Sequence, residues 1–112
     1  MVKRVYDPVD PADGQRILVD RIWPRGVGRD AAALDAWLPA VAPSTELRKW
    51  FDHRADRWEV FTRRYREELV ANPAVDELRD RLRRGRVTLL YSARDTEHNQ
   101  AVALASFLAA TP

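Results

Sequence analysis

Two short runs of apolar residues limit what this chain can fold into more than any other feature of its sequence. The first is "ILV" at residues 17–19, and the second is "VTLLY" at residues 87–91. Side chains that are apolar or β-branched at successive positions are typical of a strand covered on both faces. A strand, a short polar turn and a helix then follow one another from residue 87 onwards, which is the local pattern of an α/β unit. We therefore predict an α/β fold with a small, mostly parallel sheet flanked by helices in a Rossmann-like three-layer arrangement.

Most of the chain between the two runs is predicted to be helical. Asp30, Ser44 and Asp56 each stand where an N-cap is expected, and Glu59 completes a pattern like a capping box with Asp56. Gly85 is the expected C-cap of the last of these helices. The predicted helices cover residues 31–38, 45–51, 57–71 and 74–84, and a fifth helix covers residues 97–110.

The helical segments also indicate which side chains form the core. In the third helix, Trp58, Phe61, Tyr65 and Leu69 fall on one stripe, which is more typical of core packing than of a ligand site. In the fourth helix, the side chains expected to point inward are those of Val75, Leu78 and Leu82. A further short strand is predicted at residues 2–6, and its direction relative to the strand after it stays open. The nine residues between them are too few for a helical crossover.

Composition excludes several classes of protein. A chain of 112 residues supports one core, so we expect a single domain over residues 1–112. The formal net charge of only +2 argues against a general attraction for nucleic acid. There is no cysteine, which excludes disulfides, thiolate metal sites and a cysteine nucleophile. No apolar segment resembles a signal peptide or a membrane span, so we expect a cytoplasmic protein.

Polar residues follow both strong strands at the points where the strands are expected to end. In open α/β sheets, ligands bind outside the carboxyl ends of the strands, because loops and helix N-termini converge there. These residues are therefore the candidate ligand-binding set. They are Asp20, Arg21, Trp23 and Arg25 after the first strand, and Ser92, Arg94, Asp95, Thr96, His98 and Asn99 after the second.

The same residues belong to four blocks that resemble a known family. The blocks are "DGQRILVDRIWPRG", "APSTELRKWF" with His53 just after it, "FTRRYREEL" and "VTLLYSARDTEHNQAVALASFL". Together they span nearly the whole chain, and the chain is identified as a member of the YeaO-like branch of a bacterial domain-of-unknown-function family. The resemblance implies a compact α/β fold and by itself assigns no activity.

After the second strand, the sequence predicts an anion site. A helix beginning near Thr96 would offer free backbone N–H groups and the positive end of its dipole, and Arg94 would strengthen that site. His98 would lie in the first helical turn and could act as a general acid or base, oriented by Asp95 or Asp20. The alternative is that Asp95 or Thr96 only caps the helix, while the side chains of His98 and Asn99 are solvated or bond to loop backbone.

After the first strand, Arg21 and Arg25 are the expected anion ligands. Asp20 would either serve the site or form a buried ion pair with one of these arginines. Trp23 would be either a lid over a planar ligand or, as we favour, a wedge that holds the loop on the sheet. His53 lies between two helices and would either cap the preceding helix or serve a site.

These residues lead to a main function hypothesis and two alternatives. The main hypothesis is a small anionic, phosphate-bearing ligand at the strand ends, with hydrolase or transferase activity as an option. The first alternative is a nucleic-acid-binding module that uses the arginines of residues 79–86 with Arg63, Arg64 and Arg66. The second is a protein-interaction domain with an apolar patch around Trp37 and Trp50. No metal-ligand spacing and no glycine-rich nucleotide fingerprint is visible, so no metal or cofactor is predicted.

Overall fold

The computed structural model describes residues 1–110, and its centre is a sheet of four strands that are all parallel. The sheet order is β1-β4-β2-β3, so that the late strand β4 lies between the two earliest ones. Leu89 pairs with Val2 on one side and with Ile17 on the other. The predicted parallel sheet is confirmed. The strands are β1 (Val2–Arg4), β2 (Gln15–Leu18), β3 (Ala36–Trp37) and β4 (Val87–Tyr91).

The connection from β1 to β2 contains only a short 3-10 helix, Pro11–Asp13. The relative direction of β1 and β2, which the sequence left open, is parallel, because both strands pair in parallel with β4. Further 3-10 turns occur at Pro39–Val41 and Ala55–Arg57. The α-helices are α1 (Arg29–Ala32), α2 (Thr45–Phe51), α3 (Trp58–Val70), α4 (Val75–Arg84) and α5 (Gln100–Ala110). In residues 1–110, none of the helices has both the length and the apolar character needed to cross a bilayer.

The two faces of the sheet are covered by separate apolar clusters, which makes the fold three-layered. On one face, Ile17 and Leu89 pack with the buried side chains of helices α2 to α5. On the other face, Leu18 and Leu90 pack with Ala32 of α1 and with the loop before it. The successive apolar residues Ile17 and Leu18 of β2, like Leu89 and Leu90 of β4, thus enter opposite clusters, which explains why apolar residues are consecutive in these strands.

Residues 31–38 do not form the predicted helix. Helix α1 is capped by Gly28 rather than by Asp30, and it ends where Ala33 adopts a left-handed conformation with φ of 48°. The chain then extends and pairs with the open edge of β2 through Ala36 and Trp37. Hydrogen bonds to an otherwise unpaired strand edge outweigh the modest helix preference of these residues.

Two smaller predictions about the helices are also wrong. Asp56 does not cap α3, because its carboxylate forms an exposed ion pair with Arg54 and the helix begins after Arg57 without a side-chain cap. Leu82 of α4 is 42% exposed rather than inward. At that turn it is Arg81 that contacts the sheet, since its carbonyl accepts a 2.8 Å hydrogen bond from Gln15 of β2. By contrast, the Ser44 cap of α2 and the buried stripe of α3 are confirmed.

A buried charge cluster joins the strands near their amino ends. The carboxylate of Asp13 accepts hydrogen bonds from Lys3 of β1, at 2.9 Å, and from Arg16 of β2. The backbone carbonyl of Asp13 accepts a 2.7 Å hydrogen bond from Thr88 of β4. The hydrogen bond from Lys3 is the largest of several causes that lower the pKa of Asp13 to about 2. The charges at this end of the sheet therefore hold strands together.

Candidate functional site

A cavity of about 170 Å³ lies at the opposite end of the sheet, where β2 and β4 finish. Five of the sequence-predicted residues line it, namely Asp20, Arg21, Ser92, His98 and Asn99. Strand β2 ends at Leu18, so Asp20 and Arg21 follow the strand and are not forced onto opposite faces by its alternation. Both strand ends therefore contribute to the same cavity.

The buried carboxylate of Asp20 connects the two strand ends with the start of α5. One of its oxygens accepts a 3.1 Å hydrogen bond from the backbone N–H of Ser92, and the other accepts one from the side chain of Gln100. The Asp20 carbonyl accepts a further 2.7 Å bond from the indole of Trp37. The predicted ion pair between Asp20 and an arginine is therefore wrong. Burial raises the pKa of this carboxyl, against the effect of these hydrogen bonds.

Arg21 is held in the cavity wall by backbone carbonyls. Its guanidinium donates to the carbonyl oxygens of Ala42 and Pro43 at 3.0 to 3.1 Å. Carbonyl groups fix the position of the side chain without cancelling its charge, as a carboxylate would. The wall therefore keeps a positive charge on a positioned side chain.

His98 and Asp95 form a hydrogen-bonded pair at the edge of the cavity. One Asp95 oxygen accepts bonds from the backbone N–H groups of Glu97, at 2.9 Å, and His98, at 3.0 Å. The other lies 3.0 Å from Nδ1 of His98. These backbone bonds, followed by the histidine, lower the pKa of Asp95. The imidazole also packs edge-on against Trp58 at 5.3 Å. Its position is thus defined from two sides.

The helix after β4 begins later than predicted. Helix α5 starts at Gln100, not near Thr96, so His98 lies in the loop before the helix rather than in its first turn. Asp95 accounts for the later start, because its side chain accepts hydrogen bonds from the N–H groups of Glu97 and His98 and so forms a separate turn before the helix. Asn99 then caps the helix by accepting a 3.0 Å bond from Val102. The expected alternative roles for Asp95 and Thr96 as caps of the helix are therefore wrong.

Five sequence-predicted residues do not line the cavity, namely Trp23, Arg25, Arg94, Asp95 and Thr96. Trp23 is the wedge that we favoured. Its indole donates a 2.8 Å hydrogen bond to Val27, and its ring meets that of Trp37 edge-on at 5.4 Å. Arg25 and Arg94 are exposed. The arginine set predicted from the strand ends is thus only partly assembled.

Helix α2 and the turn after it supply residues that the strand-end argument missed. Arg48 lies in α2, and His53 follows the helix after Asp52. His53 does not cap α2, which was one of the two roles expected for it, since the capping N–H to the Arg48 carbonyl is that of Asp52. Asp52 and His53 both have positive φ, at 48° and 54°. The sequence indicated His53 only as a loop residue between two helices, and it gave no reason to place Arg48 at a site.

The polar lining does not match a metal centre. Among the described residues, no three histidine, aspartate or glutamate side chains come close enough together to hold a metal ion. The lining instead combines cationic, imidazole and amide groups with one carboxylate. Its polar members are Asp20, Arg21, Arg48, His53, Ser92, His98, Asn99 and Gln100.

The comparisons with known proteins agree on one family. A family profile described as the inactive DUF488-N3 subclade matches residues 1–111. An uncharacterised protein of Mycobacterium tuberculosis is 45% identical over 107 residues, which cover 96% of this chain and 91% of the relative. The uncharacterised protein YeaO of Escherichia coli K12 is also 45% identical over 107 residues, covering 95% of this chain and 93% of the relative. No solved structure matches significantly. The chain therefore belongs to the YeaO-like family described as the inactive DUF488-N3 subclade.

Proposed function

We propose that this protein binds a small anion, represented by a phosphate group, in the cavity at the ends of β2 and β4. The observation that carries the proposal is the charge of the cavity wall. Two guanidinium groups, from Arg21 and Arg48, accompany a single carboxylate, that of Asp20. The wall is therefore positive even with both histidines neutral. The location agrees with the general preference of open α/β sheets for ligands at the carboxyl ends of their strands.

Arg48 is the residue best suited to contact the anion. Its side chain is exposed, and within residues 1–110 its guanidinium takes part in no hydrogen bond or ion pair. Arg21 is engaged with backbone carbonyls, so it contributes charge more than free donors. A planar guanidinium with uncommitted donors is well matched to a phosphate or carboxylate group.

Binding without turnover is the form of the proposal that we favour, because the matching family is described as inactive. The pairing of His98 with Asp95 nevertheless resembles an oriented general base. A hydrolase or transferase reaction at His98 is therefore the alternative that the experiment must include.

The test is calorimetric titration of the full chain with inorganic phosphate. Arg48→Ala should weaken binding about tenfold, the usual effect of losing one charge-assisted hydrogen bond. Arg94→Ala is the matched control. Arg94 is an exposed arginine that follows the end of β4, but it does not line the cavity. It should leave the affinity unchanged. Both side chains are at the surface, so both variants should fold.

Two results would overturn the proposal. One is the absence of binding by phosphate, sulfate and acetate to the unmodified chain. The other is an equal loss of affinity in Arg48→Ala and Arg94→Ala, which would indicate a diffuse surface attraction. Release of phosphate from a simple phosphate monoester, if abolished by His98→Asn, would show that the site catalyses hydrolysis and does not only bind anions.

A further inference from the structure

The lining of the cavity is also partly apolar, and we call this part the apolar wall. It consists of Ile22, Ala42, Pro43, Phe51, Phe61 and Ala93. The two phenylalanines are stacked, with ring centroids 4.3 Å apart, and they belong to the core cluster beneath the site. A bare phosphate ion would gain nothing from this wall, since it carries no apolar surface.

Ile22 strengthens the case that the apolar wall serves a ligand. It is 61% exposed, yet it lies at the cavity directly after Asp20 and Arg21. A large aliphatic side chain in this position buries little of its surface in the protein's own core. It would lose contact with water when an apolar group occupied the cavity.

The size of the cavity limits that apolar group. Its volume is about 170 Å³, and an engineered cavity of about 150 Å³ in another protein accommodates benzene. The space is therefore enough for roughly one ring or a short branched chain. A nucleoside would have to extend into solvent.

We propose that the ligand is an organic anion with a small apolar body, about the size of a benzene ring, attached directly to its phosphate or carboxylate group. The inference rests on the proposed function, because it assigns the anionic group to the side of Arg21 and Arg48. The apolar body then lies against the phenylalanines and Ile22. Nucleotides and free inorganic phosphate are not the preferred ligands of such a site.

Three phosphate-bearing probes test the proposal by calorimetric titration: inorganic phosphate, phenyl phosphate and adenosine monophosphate, at an alkaline pH at which all three are dianions. Phenyl phosphate should bind about tenfold more tightly than inorganic phosphate, as expected when most of one ring leaves water. Adenosine monophosphate should bind no more tightly than inorganic phosphate. Benzoate against acetate gives the same comparison for carboxylates.

A surface variant tests the apolar wall without disturbing the core. Ile22→Ser should remove most of the preference for phenyl phosphate and leave the affinity for inorganic phosphate unchanged. Val70→Ser is the control, because Val70 is likewise exposed, at 73%, but lies at the end of α3 and away from the cavity. It should change neither affinity.

The outcomes separate this inference from the proposed function. Equal affinity for phenyl phosphate and inorganic phosphate would overturn the inference while leaving anion binding intact. Tighter binding of adenosine monophosphate than of phenyl phosphate would also overturn it, in favour of a nucleotide. Failure of every probe to bind would instead overturn the proposed function.

Discussion

At the scale of single residues, backbone strain is concentrated beside the candidate site. Ala33, Asp52 and His53 are the non-glycine residues with positive φ in the described part of the chain, and the latter two are adjacent. A left-handed conformation costs roughly 1–2 kcal/mol for an ordinary residue. Strained residues often occur at functional sites, where the surrounding structure maintains them. Of the three, His53 is the one that lines the cavity.

We therefore expect His53→Gly and Ala33→Gly to differ in function but not in stability. Each variant removes left-handed strain but also loosens the unfolded chain, so each should change the free energy of unfolding by at most about 1 kcal/mol. Only His53→Gly should weaken phosphate binding. Urea unfolding and calorimetric titration of both variants check this, and unchanged binding in His53→Gly would remove His53 from the site.

Gly14 illustrates a different residue-scale requirement, a close approach of two backbones. Its φ is +66°, and a Cβ atom added there would lie 2.6 Å from the Arg86 carbonyl oxygen, just before β4. Gly26 also has a positive φ, of +76°, but a Cβ there would meet nothing within 4 Å. Gly14→Ala should therefore cost at least about 2 kcal/mol, and Gly26→Ala only about 1 kcal/mol. Denaturant unfolding measures both, and equal losses would contradict the importance of the close approach.

At the scale of elements, the features that the sequence predicts well are those decided locally. Ser44 caps α2 because its hydroxyl reaches the Leu47 N–H within the same turn, at 3.1 Å. The apolar runs predict β2 and β4 because each strand has neighbours on both sides. Strand β3 escaped prediction because its extended form depends on the edge of β2, about 20 residues earlier in the chain. No pattern within residues 33–38 contains that information.

Helix α4 offers a prediction at this scale, because two of its leucines one turn apart differ completely in burial. Leu78 is fully buried and Leu82 is 42% exposed. Leu78→Ala should lower the free energy of unfolding by about 2–5 kcal/mol through lost contacts and a residual cavity. Leu82→Ala should cost less than about 1 kcal/mol. Similar losses for the two variants, measured by urea unfolding, would support the inward orientation of Leu82 that the sequence pattern predicted.

At the scale of the whole molecule, charged groups are divided between the two ends of the sheet. Near the amino ends, Lys3 and Arg16 are paired with Asp13 and join strands together. At the carboxyl ends, Arg21 and Arg48 have no carboxylate partner in residues 1–110. Pairing at one end serves the fold, whereas uncompensated charge at the other is available to a ligand.

The amino-end cluster predicts how stability depends on pH. The folded pKa of Asp13 is about 2, below its ordinary value of 3.8, so the carboxylate stabilises the fold above that ordinary value. This contribution should disappear as the pH falls from about 4 towards about 2. The stability difference between the unmodified chain and Asp13→Asn should shrink over the same range. Asp80→Asn, which alters an exposed pair with Arg83, should show little difference at any pH.

The arginine-rich helix α4 allows the nucleic-acid alternative to be tested on the same scale. Arg81 is paired with Glu77, and Arg83 with Asp80, so much of the charge on this helix is already compensated. We expect binding of duplex DNA to be weak and to disappear near 200 mM salt, as for non-specific phosphate contacts. Tight binding that persists at this salt concentration, measured by fluorescence anisotropy, would favour the nucleic-acid module.

The candidate site was predictable in part, for reasons that differ among its residues. The strand-end argument found Asp20, Arg21 and Ser92 because each lies shortly after the end of a strand. It also included Arg25 and Arg94, which do not line the cavity, since the direction of an exposed arginine depends on loop geometry that the sequence pattern does not determine. Arg48 was missed because α2 reaches the cavity only through tertiary packing.

The position of β4 in the middle of the sheet also has consequences during synthesis. Its neighbours β1 and β2 are separated by only ten residues in the chain but do not pair with each other. Each can pair with β4 only after that strand has been synthesised, about 70 residues later. Until then, a nascent chain has two strands with open edges, and open strand edges promote aggregation. A chain that stops before residue 87 could not acquire this sheet at all. We therefore expect productive folding to begin only after β4 has been translated.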